Sequence, residues 1–138
     1  MKNNKARFWF IWTILSLALI FIQSLLPASK SDQESGALLE LLLKYFPKLS
    51  LTHEHLRQIA HFGEFFLLGM GMQGTLFYGK KYNLSKPMLY STLIAMADET
   101  IQLQVVGRSS ELMDVWMDFS GAIVGIMFLW SIFKLQKK

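Results

Sequence analysis

The sequence predicts an all-α fold: an integral membrane four-helix bundle with a short outer interfacial helix between the first and second spans. Hydrophobic residues make up 52% of the 138-residue chain, charged residues only 17%, and the mean hydropathy is +0.31. This composition is too apolar for a soluble domain of this size. Four stretches are each roughly 20 residues long, enough to cross about 30 Å of hydrocarbon. The four spans and the segments between them are expected to form a single membrane domain, residues 1–138.

The four predicted spans differ in their charge. The first, residues 8–26, carries none, and we interpret it as a retained anchor because its apolar run is longer than that of a cleaved signal peptide. The other spans contain ionisable residues: His61 and Glu64 in residues 59–78, Asp98 and Glu99 in residues 87–106, and Asp118 in residues 115–133. Such side chains are costly in a bilayer, so they normally face a protein interior or a wet cavity and indicate a site.

The segment between the first two spans divides into a polar stretch, residues 29–35, and an apolar stretch, residues 37–46, ended by Pro47. Ten residues are too few to span a bilayer. We therefore expect residues 37–46 to form a short helix at the outer interface or over the mouth of the bundle. The sequence pattern fits both a helix that only packs on the bundle and a helix that acts as a lid or contacts lipid.

The lysines and arginines indicate the orientation. Nine of the fourteen fall on one side: Lys2, Lys5, Arg7, Lys80, Lys81, Lys86, Lys134, Lys137 and Lys138. By the positive-inside rule both termini are cytoplasmic, and the loops at residues 30–58 and 107–114 face outward. The net charge of +4 is then explained by a cytoplasmic rim beside anionic lipid, and a nucleic-acid partner is not expected.

The polar residues converge at the outward end of the predicted bundle. Arg57, His61 and Glu64 are spaced i, i+4 and i+7, so they share one helix face. In the third span, Gln102 lies four residues after Asp98 and three after Glu99. In the fourth, the spacing i, i+4, i+7 and i+11 relates Asp114, Asp118, Gly121 and Gly125. Counted inward from the outer ends of the spans at about 1.5 Å per residue, the depths of the acidic side chains are close enough for them to share one pocket. We expect a tight turn at Gly107, Arg108, Ser109 and Ser110 to bring Arg108 to the carboxylates, and the glycine pair to permit close helix approach.

The absence of cysteine excludes disulfides, thiolate metal sites and thiol nucleophiles. The three histidines, His53, His55 and His61, lie close together in the sequence, but only His61 and Glu64 have helical ligand spacing. We therefore interpret the histidines as a loop cluster and expect no metal and no cofactor. An ion-pair network that only holds the helices together is an alternative to any ligand site.

The chain resembles the VanZ-like membrane proteins over nearly its whole length. The resemblance rests on Arg57-x-x-x-His61-Phe62-x-Glu64-Phe65-x-x-Leu68-Gly69, on Asp98-Glu99-x-x-Gln102 with Gly107-Arg108-Ser109, and on Asp114-x-x-x-Asp118-x-x-Gly121-x-x-x-Gly125. The end of the first span, Ser24-Leu25-Leu26-Pro27, also fits. Two departures are Val105-Val106 before the Gly-Arg pair, where the family often has an aromatic or aliphatic residue and proline, and Asp118, where it often has asparagine.

The resemblance implies a bacterial cytoplasmic-membrane protein of a family named for low-level resistance to teicoplanin, a lipid-tailed glycopeptide antibiotic. It marks as ligand-binding candidates Arg57, His61, Glu64, Asp98, Glu99, Gln102, Arg108, Asp114 and Asp118. The first hypothesis is a protein that binds or modulates an envelope amphiphile, with a membrane lipid or lipid-linked envelope precursor as partner and glycopeptide antibiotic involved only indirectly.

A second hypothesis is a membrane-embedded enzyme that acts on a lipid-linked or cell-wall substrate, because paired carboxylates can serve as general acid and base, and acids near an opening could hold a divalent cation. No serine-nucleophile motif or phosphate-binding glycine loop supports it. A transporter would require an oligomer, and the oligomeric state, including a homo-oligomer, is open.

Overall fold

The computed structural model describes residues 2–46, 50–79, 83–108 and 112–135. These residues form five α-helices: α1 (Lys2–Ser24), α2 (Ala28–Tyr45), α3 (His53–Tyr78), α4 (Ser85–Gln102) and α5 (Leu112–Leu135). No strand occurs within these ranges, so the predicted all-α fold is confirmed. Some residues named in the predictions lie outside the described ranges: Pro47, Lys80, Lys81, Ser109, Ser110, Lys137 and Lys138.

Helix α2 is longer than the short helix predicted for residues 37–46. It begins at Ala28, directly after Pro27, and includes the polar stretch that was predicted to be a loop. Proline is well suited to a helix start because it needs no backbone N–H partner there. The polar stretch consists largely of residues that tolerate a helix, and the prediction missed it because it relied on apolar content.

Two other helix boundaries also differ from the predicted spans. Helix α3 begins at His53 because the Thr52 side chain accepts a hydrogen bond from the backbone N–H of His55 at 3.3 Å, which caps the helix start. Helix α4 ends at Gln102, and residues 103–107 form a turn in which Gly107 has φ +80°. The predicted turn at Gly107 therefore needs the left-handed backbone that glycine allows.

Helices α3 and α5 run in the same direction, and α1 and α4 run in the opposite one. At one end, called the site end here, Ser24 of α1 meets Asp98 of α4, and His61 of α3 meets Asp118 of α5. At the opposite end, Trp9 of α1 packs edge-on against Phe133 of α5. Helix α2 lies at the site end, where its Ser35 hydroxyl is 3.1 Å from His53 Nδ1.

The contact between α3 and α5 is close because glycines occupy it on both helices. A Cβ atom would lie 2.3 Å from the Ala122 carbonyl oxygen if placed on Gly69, and 2.1 Å from the Phe66 carbonyl oxygen if placed on Gly125. The same holds at Gly121, where the distance to the Phe62 carbonyl oxygen is 2.3 Å. The predicted close approach at Gly121-x-x-x-Gly125 is confirmed, and it sets the spacing of the two helices at the site end.

Among the described residues, two helices are long and apolar enough to cross a membrane: Asn4–Ser24 within α1, and α5 itself. Helices α3 and α4 carry more polar residues and fall short of that test. In α3 the polar residues His61 and Gln73 are buried inside the bundle. The four packed helices agree with the predicted bundle, while membrane crossing by all four remains a proposal.

Candidate functional site

A cavity of about 400 Å³ opens at the site end of the bundle, between α1, α2, α3, α4 and the turn after α4. Its polar lining includes Arg57, His61, Glu64, Asp98, Gln102 and Arg108. Its apolar lining includes Ile20 of α1, Leu38 of α2 and Leu56 of α3. The cavity therefore combines charged groups of both signs with aliphatic side chains from three helices.

The Asp98 side chain is only 2% exposed, and both of its carboxylate oxygens accept hydrogen bonds. The Ser24 hydroxyl donates to Asp98 Oδ1, and Gln102 Nε2 donates to Asp98 Oδ2 at 2.8 Å. Gln102 is one helical turn from Asp98, so both face the same way on α4. Hydrogen bonds to a buried carboxylate offset part of its loss of water.

His61 lies between two carboxylates on different helices. Its Nδ1 is 2.9 Å from Asp118 Oδ1 on α5 and 3.9 Å from Asp98 Oδ2 on α4. His61 and Asp118 are both buried. Because α3 and α5 are parallel and close, residue 61 falls beside residue 118. The histidine thus links three helices at the inner wall of the cavity.

Arg57 and Asp114 form an ion pair one turn closer to the helix starts, with Arg57 Nη2 3.2 Å from Asp114 Oδ2. The Asp114 side chain is fully buried and that of Arg57 is 27% exposed, so the pair runs from the protein interior to the cavity. This pair links α3 to α5, as a member of the ion-pair network considered as an alternative to a ligand site would. A buried ion pair of this kind is costly to break because it leaves a charge without its partner.

The turn after α4 brings Arg108 to the cavity, where its guanidinium donates mainly to backbone carbonyls. Its Nε and Nη2 donate to the carbonyl oxygens of Leu26 and Gln23 at 3.2 and 2.9 Å, and its Nη1 donates to Gln102 Oε1 at 3.3 Å. Within the described part of the chain no carboxylate lies within ion-pair distance of its guanidinium, although Arg108 lines the same cavity as Glu64 and Asp98. It instead satisfies carbonyls at the end of α1, which lack partners within the helix, and reaches Asp98 only through Gln102.

The remaining predicted acids occupy two positions. Glu64 is half-buried and lines the cavity, and no described residue donates a hydrogen bond to it. Glu99 is 4% exposed and lies behind the cavity wall, where it belongs to a group with His61, Asp98 and Asp118. The structure therefore places all nine predicted residues at the site end, in the cavity wall or directly behind it.

Several residues that contribute to the site were not among the predicted ones. Ser24 holds Asp98, and Ser35 and Leu38 of α2 line the cavity. Ser24 could have been found as a polar residue near the end of an apolar span. The contribution of α2 had no such signal, because it depends on how that helix folds back over the bundle. His53 and His55 are exposed at the start of α3, and His53 also lines the cavity, whereas His61 is buried in its wall.

A family model described as VanZ/LLP1 matches residues 9–134 of the chain, which covers all of the described helices except the ends of α1 and α5. Neither the curated proteins nor the solved structures include a significant match.

Proposed function

We propose that this chain, which belongs to the VanZ/LLP1 family, is a multi-pass protein of the bacterial cytoplasmic membrane that binds or modulates an anionic envelope amphiphile. The observation that carries the proposal is the cavity, which offers two arginines, carboxylates and aliphatic side chains within one volume. The family name further associates the proposed role with susceptibility to teicoplanin-type glycopeptides.

The outer surface of the bundle supports membrane crossing by α4 as well as by α1 and α5. Large apolar side chains of these helices are exposed on the bundle surface: Phe10, Ile14, Leu15 and Ile22 on α1, Leu89, Leu93 and Met96 on α4, and Val124, Met127 and Phe128 on α5. Contiguous exposed apolar surface of this kind suits contact with lipid. Helix α3 is enclosed by its neighbours, so its polar residues do not face the bilayer.

The distribution of charge supports an outward-facing site end and cytoplasmic termini. Because the chain has no cysteine, single cysteines report orientation cleanly. In intact cells, a membrane-impermeant maleimide should label Ser29→Cys at the site end and should reach Ser85→Cys only after lysis. Both serines are exposed. The opposite labelling pattern would place the cavity on the cytoplasmic face and remove the envelope role.

The cavity chemistry favours a phosphate or carboxylate headgroup with an attached apolar chain. A guanidinium has five N–H groups, and Arg108 uses three of them, which leaves two for a ligand. Forked N–H donors bind phosphate and carboxylate oxygens well. Glu64 can accept hydrogen bonds from hydroxyl or amine groups of the same headgroup, and Leu38 and Ile20 offer contacts for acyl carbons.

Native mass spectrometry of gently solubilised protein tests this assignment. Anionic lipid should co-purify with the wild type and with Lys44→Gln, which removes an exposed cation away from the cavity lining. Retention should fall about tenfold or more in Arg108→Lys, which keeps the charge but loses the forked donors. Equal retention by folded wild type, Arg108→Lys and Lys44→Gln would refute binding in the cavity.

A membrane-embedded enzyme acting on a lipid-linked substrate is a second candidate, favoured by the hydrogen bond between His61 and Asp118. A carboxylate that orients a histidine is a common arrangement for a general base, and His61 also lines the cavity. Turnover of an added lipid phosphate ester that disappears in His61→Gln, while lipid retention persists, would favour this candidate. Binding without turnover across lipid classes would count against it.

A further inference from the structure

We infer that His61, Asp98, Glu99 and Asp118 form a binding site for one divalent first-row metal ion, with zinc or manganese as the fitting class. The inference deepens the proposed function, on which any role of the metal in ligand recognition rests. It also revises the expectation of no metal, which rested on the spacing of the three histidines, and it takes up the divalent cation that the enzyme hypothesis allowed for the acids.

The geometry of the four residues suits a single ion. Each offers one ligand atom, and these atoms all lie within 4.8 Å of one another. Ligand atoms on opposite sides of an ion bound at about 2.0 to 2.3 Å are about 4.0 to 4.6 Å apart, so small side-chain adjustments would bring the set together. The ligands come from α3, α4 and α5, and the close glycine contact holds α3 and α5 together.

A second observation points to a missing partner in this cluster. Asp118 is fully buried, and its Oδ2 has no hydrogen-bond partner among the described residues. Its Oδ1 is already engaged by His61 Nδ1, so Oδ2 lies directly beside the histidine contact. A buried carboxylate oxygen without a partner is unfavourable, and a metal ion would satisfy it.

The local charge also favours a cation. In the described ranges, neither Asp98 nor Asp118 is within ion-pair distance of a lysine or arginine, because Arg57 pairs with Asp114 and Arg108 binds carbonyls and Gln102. A divalent ion would bring the buried carboxylates close to neutrality. One imidazole with carboxylate oxygens is a donor set for zinc or manganese more than for calcium, which prefers oxygen alone.

The ion would lie at the inner wall of the cavity, since His61 and Asp98 line it. Arg57 and Arg108 line the same cavity. A phosphate oxygen could therefore contact the metal while other oxygens accept hydrogen bonds from the two remaining N–H groups of Arg108. The metal would add a specific recognition element for phosphorylated headgroups.

The test uses full-length protein in detergent from which a chelator has removed metal. The protein is titrated with MnCl₂, and electron paramagnetic resonance distinguishes bound from free ion. A parallel titration with ZnCl₂ is followed by metal analysis. We expect one ion per chain. Affinity should fall tenfold or more in Asp118→Asn and in Glu99→Gln, and it should not change in Glu40→Gln, which alters an exposed acid of α2. Size-exclusion profiles check that each variant folds. If Asp118→Asn does not fold, the metal affinity of Glu99→Gln alone tests the site.

No stoichiometric binding by the folded wild type, or equal binding by Glu99→Gln and Glu40→Gln, would overturn the inference. Because no lipid is added, a failure here leaves the amphiphile proposal standing. Conversely, stoichiometric metal with no selective lipid retention would retain the metal site and reject the amphiphile proposal.

Discussion

The two ends of the bundle are held together by different interactions. At the opposite end, Gly71 and Gly74 let α1 approach α3, and Phe77 and Phe133 stack with ring centroids 4.0 Å apart. At the site end, His61, Asp98, Asp114 and Asp118 are buried in polar contacts. Close packing in one half of the bundle helps to position the charged groups of the other half, because α3 and α5 run through both.

The largest effect is expected from breaking the ion pair at the site end. Arg57→Gln leaves the fully buried Asp114 without its guanidinium and should lower the free energy of unfolding by about 3 kcal/mol, the lower end of the range for buried pairs because Arg57 is partly exposed. Thermal unfolding in detergent measures it. Arg57→Gln with Asp114→Asn should recover part of the loss, and purely additive losses would mean that the two residues do not interact.

The next effect concerns the glycine contact that sets the helix spacing. Gly125→Ala places a methyl group against the Phe66 carbonyl and should destabilise the protein by about 1 to 3 kcal/mol. Gly63→Ala is the matched control, since nothing lies within 4 Å of its added Cβ and alanine favours a helix. Equal melting temperatures for the two variants would show that α3 and α5 do not depend on this contact.

A third change should stabilise the apolar half. Gln73 is fully buried, and neither its Oε1 nor its Nε2 has a hydrogen-bond partner within the described ranges. Gln73→Leu removes these groups and should raise stability by about 1 to 2 kcal/mol. Gln104→Leu, at an exposed position, should have almost no effect. Destabilisation by Gln73→Leu would indicate that the amide has a partner in the folded protein.

The smallest effect is expected at the junction of α1 with α3. Trp12 Nε1 donates to the Leu67 carbonyl at 3.0 Å, and Trp12→Phe should cost about 1 kcal/mol through loss of this bond. Trp116→Phe is a suitable control because Trp116 is 60% exposed. The difference between the two melting curves isolates the hydrogen bond, and identical shifts would contradict its contribution.

Much of this arrangement could be predicted from local sequence. Apolar length indicated the four main helices. The similar depth of His61, Asp98 and Asp118 below the outer ends of their helices indicated that these three side chains cluster. The full extent of α2 was missed because polar residues can form a helix without an apolar pattern. The partners of Arg108 were missed because they are backbone carbonyls of α1, and sequence carries no signal for such long-range contacts.

The most direct test of the central claim, that the cavity holds an anionic amphiphile, is photo-crosslinking from two matched positions on α2. Leu38 lines the cavity and is 49% exposed, whereas Leu41 is 53% exposed and outside its lining. With a photoreactive residue at position 38, mass spectrometry should find adducts of anionic lipid that Arg108→Lys greatly reduces. Adducts from position 41 should follow bulk lipid composition and not change. The same adducts at both positions, insensitive to Arg108→Lys, would contradict the account.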